Sequence, residues 1–251
     1  MKPLILLFLI IFSPYPSPAF SENGDENMLF SSREFISYWD SASPKFNKLK
    51  KKLEKDFQRF EKSEKFLKMV FYRSQHHLLY EYDQYASVEE LIESGRFDCV
   101  SGSLLMASFL DFFGFDYRII ETSFHVFLLV QLDNQQVILE STDSFNGFIS
   151  NREEIAHYLD IFKSEAKNNK LYLHPEQKVI NSLLKPSVYR TIDLQKLKGL
   201  EHFNRAIHYN NQKDLKKALE EAKKAEFFYE SDRILTLKQL LQSQLSLAVN
   251  D

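Results

Sequence analysis

Apolar positions divide the chain into stretches of different period. From Ser32 to about Tyr82, within KFNKLKKKLEKDFQRFEKSEKFLKMVFYRSQHHLLYEY, Leu49, Leu53, Phe57 and Phe60 recur every three or four residues. That spacing places them on one side of a helix and predicts amphipathic helices. From Cys99 to Phe113 apolar residues run nearly all the way round: Val100, Leu104, Leu105, Met106, Phe109, Leu110 and Phe113. A helix with that pattern is buried on every side. Asp98 is placed to cap its start, and Gly114 to supply the left-handed residue past its end. The period then changes. DYRIIET (Asp116 to Thr122), HVFLLVQL (His125 to Leu132) and QVILEST (Gln136 to Thr142) are rich in β-branched and aromatic residues, and the last two flank a DNQ turn. They predict a short strand followed by a hairpin. Ser150 to Pro186 reads as helical or irregular, with LYLHPEQ as a loop, and takes no further assignment.

From about Leu197 the pattern is helical again. In GLEHFNRAIHYNNQKDLKKALEEAKKAEFFYE, Ala206, Tyr209, Ala218 and Ala225 fall at the offsets at which a tetratricopeptide repeat packs its two helices, and the unit resembles that family over ~34 residues. His202 stands where an apolar residue is usual, and Glu230 replaces the usual proline. The alternative is an ordinary helical hairpin. A single repeat cannot bury its own face, so it must dock on the main domain or on a partner.

The first residues, MKPLILLFLIIFSPYPSPAF, have a basic start at Lys2, an apolar run from Pro3 to Phe12, and small residues at Ser17 and Ala19. This is a signal-peptide pattern, with cleavage near Ala19. The run is about half the ~20 residues that span a bilayer, so stable membrane insertion is not expected. The expected location is secreted or periplasmic. A lipoprotein anchor needs a cysteine at the cleavage site, and the only cysteine is Cys99. The chain thus reads as residues 1–19 signal peptide, 20–31 flexible lead-in, 32–185 a domain with N-terminal helices, and 186–251 a helical segment.

Charge excludes some partners. The 32 basic and 35 acidic residues leave a formal net charge of -3, with no electrostatic reason to expect nucleic acid. The basic cluster KLKKKLEK is interleaved with Glu and reads as a solvated helix face. His76 and His77 are adjacent, so on a helix they point ~100° apart, and no third ligand sits at metal-site spacing.

Cys99 raises a chemical question, because an unpaired cysteine is unusual in an oxidising compartment. A helix N-terminus favours the thiolate through the positive end of the dipole. His125, opening a strand 26 residues later, is a candidate base, and the next strand ends in LESTD, which offers an acid to orient the imidazole. Strand parity selects that acid. Val126, Leu128, Val130 and Leu132 form one apolar face and His125 lies on the other. An even loop joins Val137 and Leu139 to the apolar face and brings Glu140 to the face of His125; an odd loop brings Asp143 there instead and turns Glu140 into the core. Burial of an unpaired carboxylate is costly, which favours Glu140 and holds Asp143 in reserve.

The segment GRFDCVSGSLLMASFLDFFGFDYRIIETSFHVFLLVQLDNQQVILEST resembles the core of the transglutaminase-like superfamily, relatives of papain-type thiol enzymes, over about Tyr80 to Phe148. The resemblance implies an α+β fold in which a buried helix opening on cysteine packs on a small antiparallel sheet. It implies acyl transfer by a cysteine hydrolase or acyltransferase, with Cys99 as nucleophile, His125 as base and Glu140 in the third position, where that family commonly has Asp. The Cys99 backbone N–H is the natural oxyanion donor, and Gln84 is a side-chain candidate. No cofactor is implied, and no acid-rich loop has calcium-binding spacing. The expected partner is a protein or peptide substrate, with a further protein partner through the C-terminal helices. The rival reading is a non-catalytic protein-binding module, with Cys99 vestigial.

Overall fold

The computed structural model describes residues 31–170 and 188–250. The signal-peptide reading, nearly all of the lead-in, the LYLHPEQ loop and the boundary at 185/186 lie outside the described residues. Three helices open the fold: α1 (Ser32–Ala42), α2 (Pro44–Phe60) and α3 (Glu64–His77). Local signals set their starts. Ser43 and Ser63 cap α2 and α3 by accepting the Phe46 and Phe66 N–H groups, and Pro44 occupies the first turn of α2, where its missing N–H is harmless. Leu49 and Leu53 are fully buried, whereas Phe57 and Phe60 lie at the margin of the core. The lysine-rich face of α2 is ion-paired at Lys50, which meets Asp40 and Glu54 at 3.0 Å each.

A short parallel pair, β1 (Glu81–Tyr82) and β2 (Arg96–Phe97), flanks α4 (Val88–Glu93) and leads into α5 (Cys99–Phe112). Helix α5 is buried along nearly its whole length. Its Phe109 ring stacks on Phe46 of α2 at 5.3 Å, and each such aromatic burial stabilises the fold by roughly 1.5–3 kcal/mol. Gly114 follows with φ +72°, the left-handed residue that ends the helix.

Strands β3 (Asp116–Thr122), β4 (Val126–Gln131) and β5 (Gln136–Leu139) form an antiparallel meander. With β6 (Phe148–Ile149) and β7 (Tyr189–Ile192) they make a five-stranded antiparallel sheet of order β6-β5-β4-β3-β7. The even register forms: Val130 pairs with Val137 and Leu128 with Leu139. Val126, Leu128, Val130, Val137 and Leu139 share the main core with α5, while Phe127, Leu129 and Ile138 face the other way. That second face is covered by α6 (Arg152–Lys170) through Ile155, Tyr158 and Phe162. Along β4 and β5 both faces of the sheet are therefore covered, which explains near-continuous apolar strands there instead of clean alternation.

The chain ends in α7 (Leu194–Asn211), α8 (Leu215–Phe228) and α9 (Asp232–Asn250). Ala206, Ala218, Ala222 and Ala225 are fully buried between these helices. Gly199 permits their approach, since a Cβ there would lie 2.5 Å from Tyr229 Cβ and 3.1 Å from the Ala225 carbonyl. His202, polar where that packing ordinarily wants an apolar residue, is buried against Phe228 and pairs with Glu221 at 2.7 Å. The helices share one continuous core with α5 and the sheet. The fold is α+β. No helix among the described residues is long and apolar enough to cross a membrane.

Candidate active site

Asp98 starts the site. Its Oδ1 accepts from the Val100 and Ser101 N–H groups at 2.8 Å each, and Ser101 Oγ accepts the Asp98 N–H at 3.0 Å, a reciprocal cap on α5. Its other oxygen, Oδ2, accepts from Asn204 Nδ2 of α7 at 2.6 Å. Cys99 thus becomes the first residue of a rigid, buried helix. The backbone N–H groups of Val126 and of Cys99 itself favour the sulfur's anion. Ser103, one turn along, donates to the Val126 carbonyl at 3.3 Å and ties α5 to the start of β4.

His125 sits in the short link between β3 and β4, and Thr122 clamps its backbone. Thr122 Oγ1 accepts the His125 N–H at 3.0 Å, and the Thr122 N–H donates to the His125 carbonyl at 2.8 Å. The imidazole Nε2 meets Glu140 Oε1 at 3.0 Å. Phe162 of α6 stacks on the ring at a centroid distance of 6.2 Å and 23°. With Nε2 engaged by the carboxylate, Nδ1 is the ring nitrogen that Glu140 does not hold.

Glu140 is 7% exposed, just beyond β5, and reaches His125 because the even register puts it on that face. Thr142 supplies it with a backbone N–H at 2.8 Å and a hydroxyl at 2.8 Å. Burial alone would raise its pKa, but the hydrogen bond and charge of His125, with Thr142, outweigh that and hold the carboxyl below its ordinary range. Gln75 of α3 secures the segment by donating to the Ser141 carbonyl at 2.7 Å. Gly102 of α5 lets Ser141 come close, since a Cβ there would lie 2.7 Å from Ser141 Oγ. Asp143 turns elsewhere: its Oδ1 accepts the Phe145 and Asn146 N–H groups at 3.0 and 2.8 Å and closes a surface turn.

The chain matches no family model, no curated protein and no solved structure.

The thiol departs from the expectation for a helix N-terminus. Burial pushes its pKa up, and the charges of Asp98 and Glu140 add to that, against the two N–H groups that favour the anion. A dipole equivalent to about half a charge is outweighed when the sulfur loses its water and two carboxylates stand beside it. The resting sulfur is accordingly a thiol. Gln84 is exposed in the turn after β1. From that same segment it is Tyr82 whose ionisation is opposed, after burial, by Cys99. Tyr158 of α6 is also near: burial holds its hydroxyl protonated, and Glu140, Asp143 and Cys99 reinforce that. No sequence pattern marked Tyr82, Tyr158 or Asn204, since each acts from an element whose docking is set by the fold. Among the described residues no cluster of His, Cys, Asp and Glu is arranged to hold a metal. His77 Nε2 is instead met by Lys52 Nζ at 2.9 Å.

Proposed function

We propose that the protein is a thiol-dependent acyl-transfer enzyme of the transglutaminase-like type, acting on a peptide or carboxamide carbonyl. The observation that carries this reading is the 3.0 Å pairing of a buried Glu140 with Nε2 of His125, just before the strand that Ser103 of the Cys99 helix holds through the Val126 carbonyl at 3.3 Å. In this reading His125 Nδ1 takes the thiol proton as sulfur attacks the carbonyl carbon, and Glu140 steadies the imidazolium. The tetrahedral oxyanion is met by the Cys99 N–H, with the Tyr82 hydroxyl as side-chain donor in place of Gln84. As the C–N bond breaks, His125 returns the proton to the leaving amine and an acyl thioester remains. Water or a second amine then attacks the thioester, losing its proton through His125, and the thiol is restored.

A buried, protonated thiol also favours the rival reading, a protein-binding module with a vestigial site. Alkylation separates the two. The folded chain should react with one equivalent of iodoacetamide at Cys99 near neutral pH, and His125→Ala should slow that reaction about tenfold or more with the fold intact. A cysteine that stays inert until the chain unfolds supports the binding module.

A further inference from the structure

Two elements far apart in sequence meet at Asp98. Its carboxylate is 2% exposed and is divided between them: Oδ1 serves the first turn of α5, and Oδ2 accepts from Asn204 of α7 at 2.6 Å. Asn204 is not needed to bury α7, whose Leu197, Leu200 and Ala206 already do so. Its amide extends instead to the cap of the nucleophile helix. Next to it, Arg205 pairs with Glu89 of α4 at 3.2 Å, which fixes α7 beside the entry to that helix.

We propose that Asn204 is a positioning residue for the Cys99 nucleophile: by holding Asp98 Oδ2 it keeps that carboxylate ionised and directed at the α5 cap, so docking of the C-terminal helices restrains the thiol. This rests on the reading of Cys99 as the nucleophile. The charge of Asp98 stands beside the sulfur and disfavours the thiolate, and Asn204 stabilises that charge. Burial pushes the Asp98 pKa up, to about 6, against the hydrogen bonds of Ser101, Asn204 and Val100. The other titratable and charged groups around the pair are Tyr82 at the end of β1, Tyr85 just after it, Glu140 after β5, Tyr158 on α6 and Arg233 on α9. Among the described residues, the donors to the Asp98 carboxylate are Val100 and Ser101 of α5 itself and Asn204, so Asn204 is the donor that comes from another element.

Removing a donor from a carboxylate raises its pKa, so in Asn204→Ala more of Asp98 is neutral just above pH 6, and more of Cys99 ionises there. The test is the rate of iodoacetamide alkylation of the folded full-length chain from pH 5 to 9, for wild type, Asn204→Ala, Asp98→Asn and the double variant, with circular dichroism to check the fold. Wild type should show an inflection near pH 6. In Asn204→Ala it should move up by about one pH unit, with alkylation about two- to threefold faster between the two midpoints. Asp98→Asn should abolish the inflection, and adding Asn204→Ala to it should change nothing further. Should Asn204→Ala unfold, Asn204→Ser, too short to reach Oδ2, carries the same expectation. A wild-type chain that alkylates, with an inflection that neither Asn204 variant moves, overturns the coupling and leaves the nucleophile reading standing. A Cys99 inert at every pH in the folded chain overturns both.

Discussion

At the scale of single residues, the proposed role of orienting His125 divides Glu140 from Asp143. Glu140 is buried and shared between His125 and Thr142, whereas Asp143 spends its oxygens on the N–H groups of its own turn. An orienting carboxylate matters because it holds the imidazole in one tautomer and offsets the charge that forms on it. Glu140→Gln should keep the fold and lower turnover of an amide substrate by about 10³-fold, while Asp143→Asn should change it by less than about threefold. Steady-state kinetics with melting curves of both variants checks this; the reverse ranking would move the role to Asp143.

At the scale of elements, the C-terminal helices are held by a buried ionic cluster as well as by alanine packing. Burial works against ionised Glu201 and Glu221, but Lys198 and Arg205 around the first, and the His202 hydrogen bond with Arg205 around the second, hold each at about 2. Both folded values lie below the unfolded carboxylate range of about 4.3, so their stabilisation is complete above that pH and is lost as pH falls toward 2. Burial also holds the His202 pKa down, and protons taken up by its unfolded form below about pH 6.5 act in the same direction. The melting temperature should therefore fall steadily between about pH 4.5 and 2, and Glu221→Gln should flatten that fall because one fewer proton is taken up on unfolding. A wild-type melting temperature independent of pH over that range would remove the cluster from the stability of these helices.

At the scale of the whole molecule, one buried anion joins the sheet to the C-terminal helices. Glu121 of β3 is 0% exposed and meets Arg190 of β7 at 2.8 Å, Arg233 of α9 at 2.6 Å and the Tyr229 hydroxyl at 2.6 Å. Removing the carboxylate strands two cations, one of them in the core, so Glu121→Ala should cost about 3 kcal/mol or more in a denaturant titration. Truncation after Asp193 should be worse. It uncovers α5 where Leu197, Leu200 and Phe203 now pack and leaves Glu121 without Arg233 and Tyr229, so the shortened chain should aggregate on gel filtration. A monomer that melts like the full chain would show that the helices are a true appendage.

Periodicity and local chemistry by themselves determined the types of the principal elements. Apolar spacing marked the N-terminal helices, the all-round apolar run marked α5 with its Asp98 cap and Gly114 stop, and β-branched runs marked the meander. Parity with the cost of an unpaired carboxylate was enough to favour Glu140 over Asp143, because a one-residue slip reverses every side chain of a strand. These are properties of neighbours in the chain. Tertiary structure alone decided that α6 lies over His125, that Cys99 opposes the ionisation of Tyr82, and that Asn204 reaches Asp98 from 106 residues away. It also reversed the expected ionisation of Cys99: the helix dipole is a local feature legible from an N-terminal position, but desolvation depends on everything packed around the sulfur, and there burial wins.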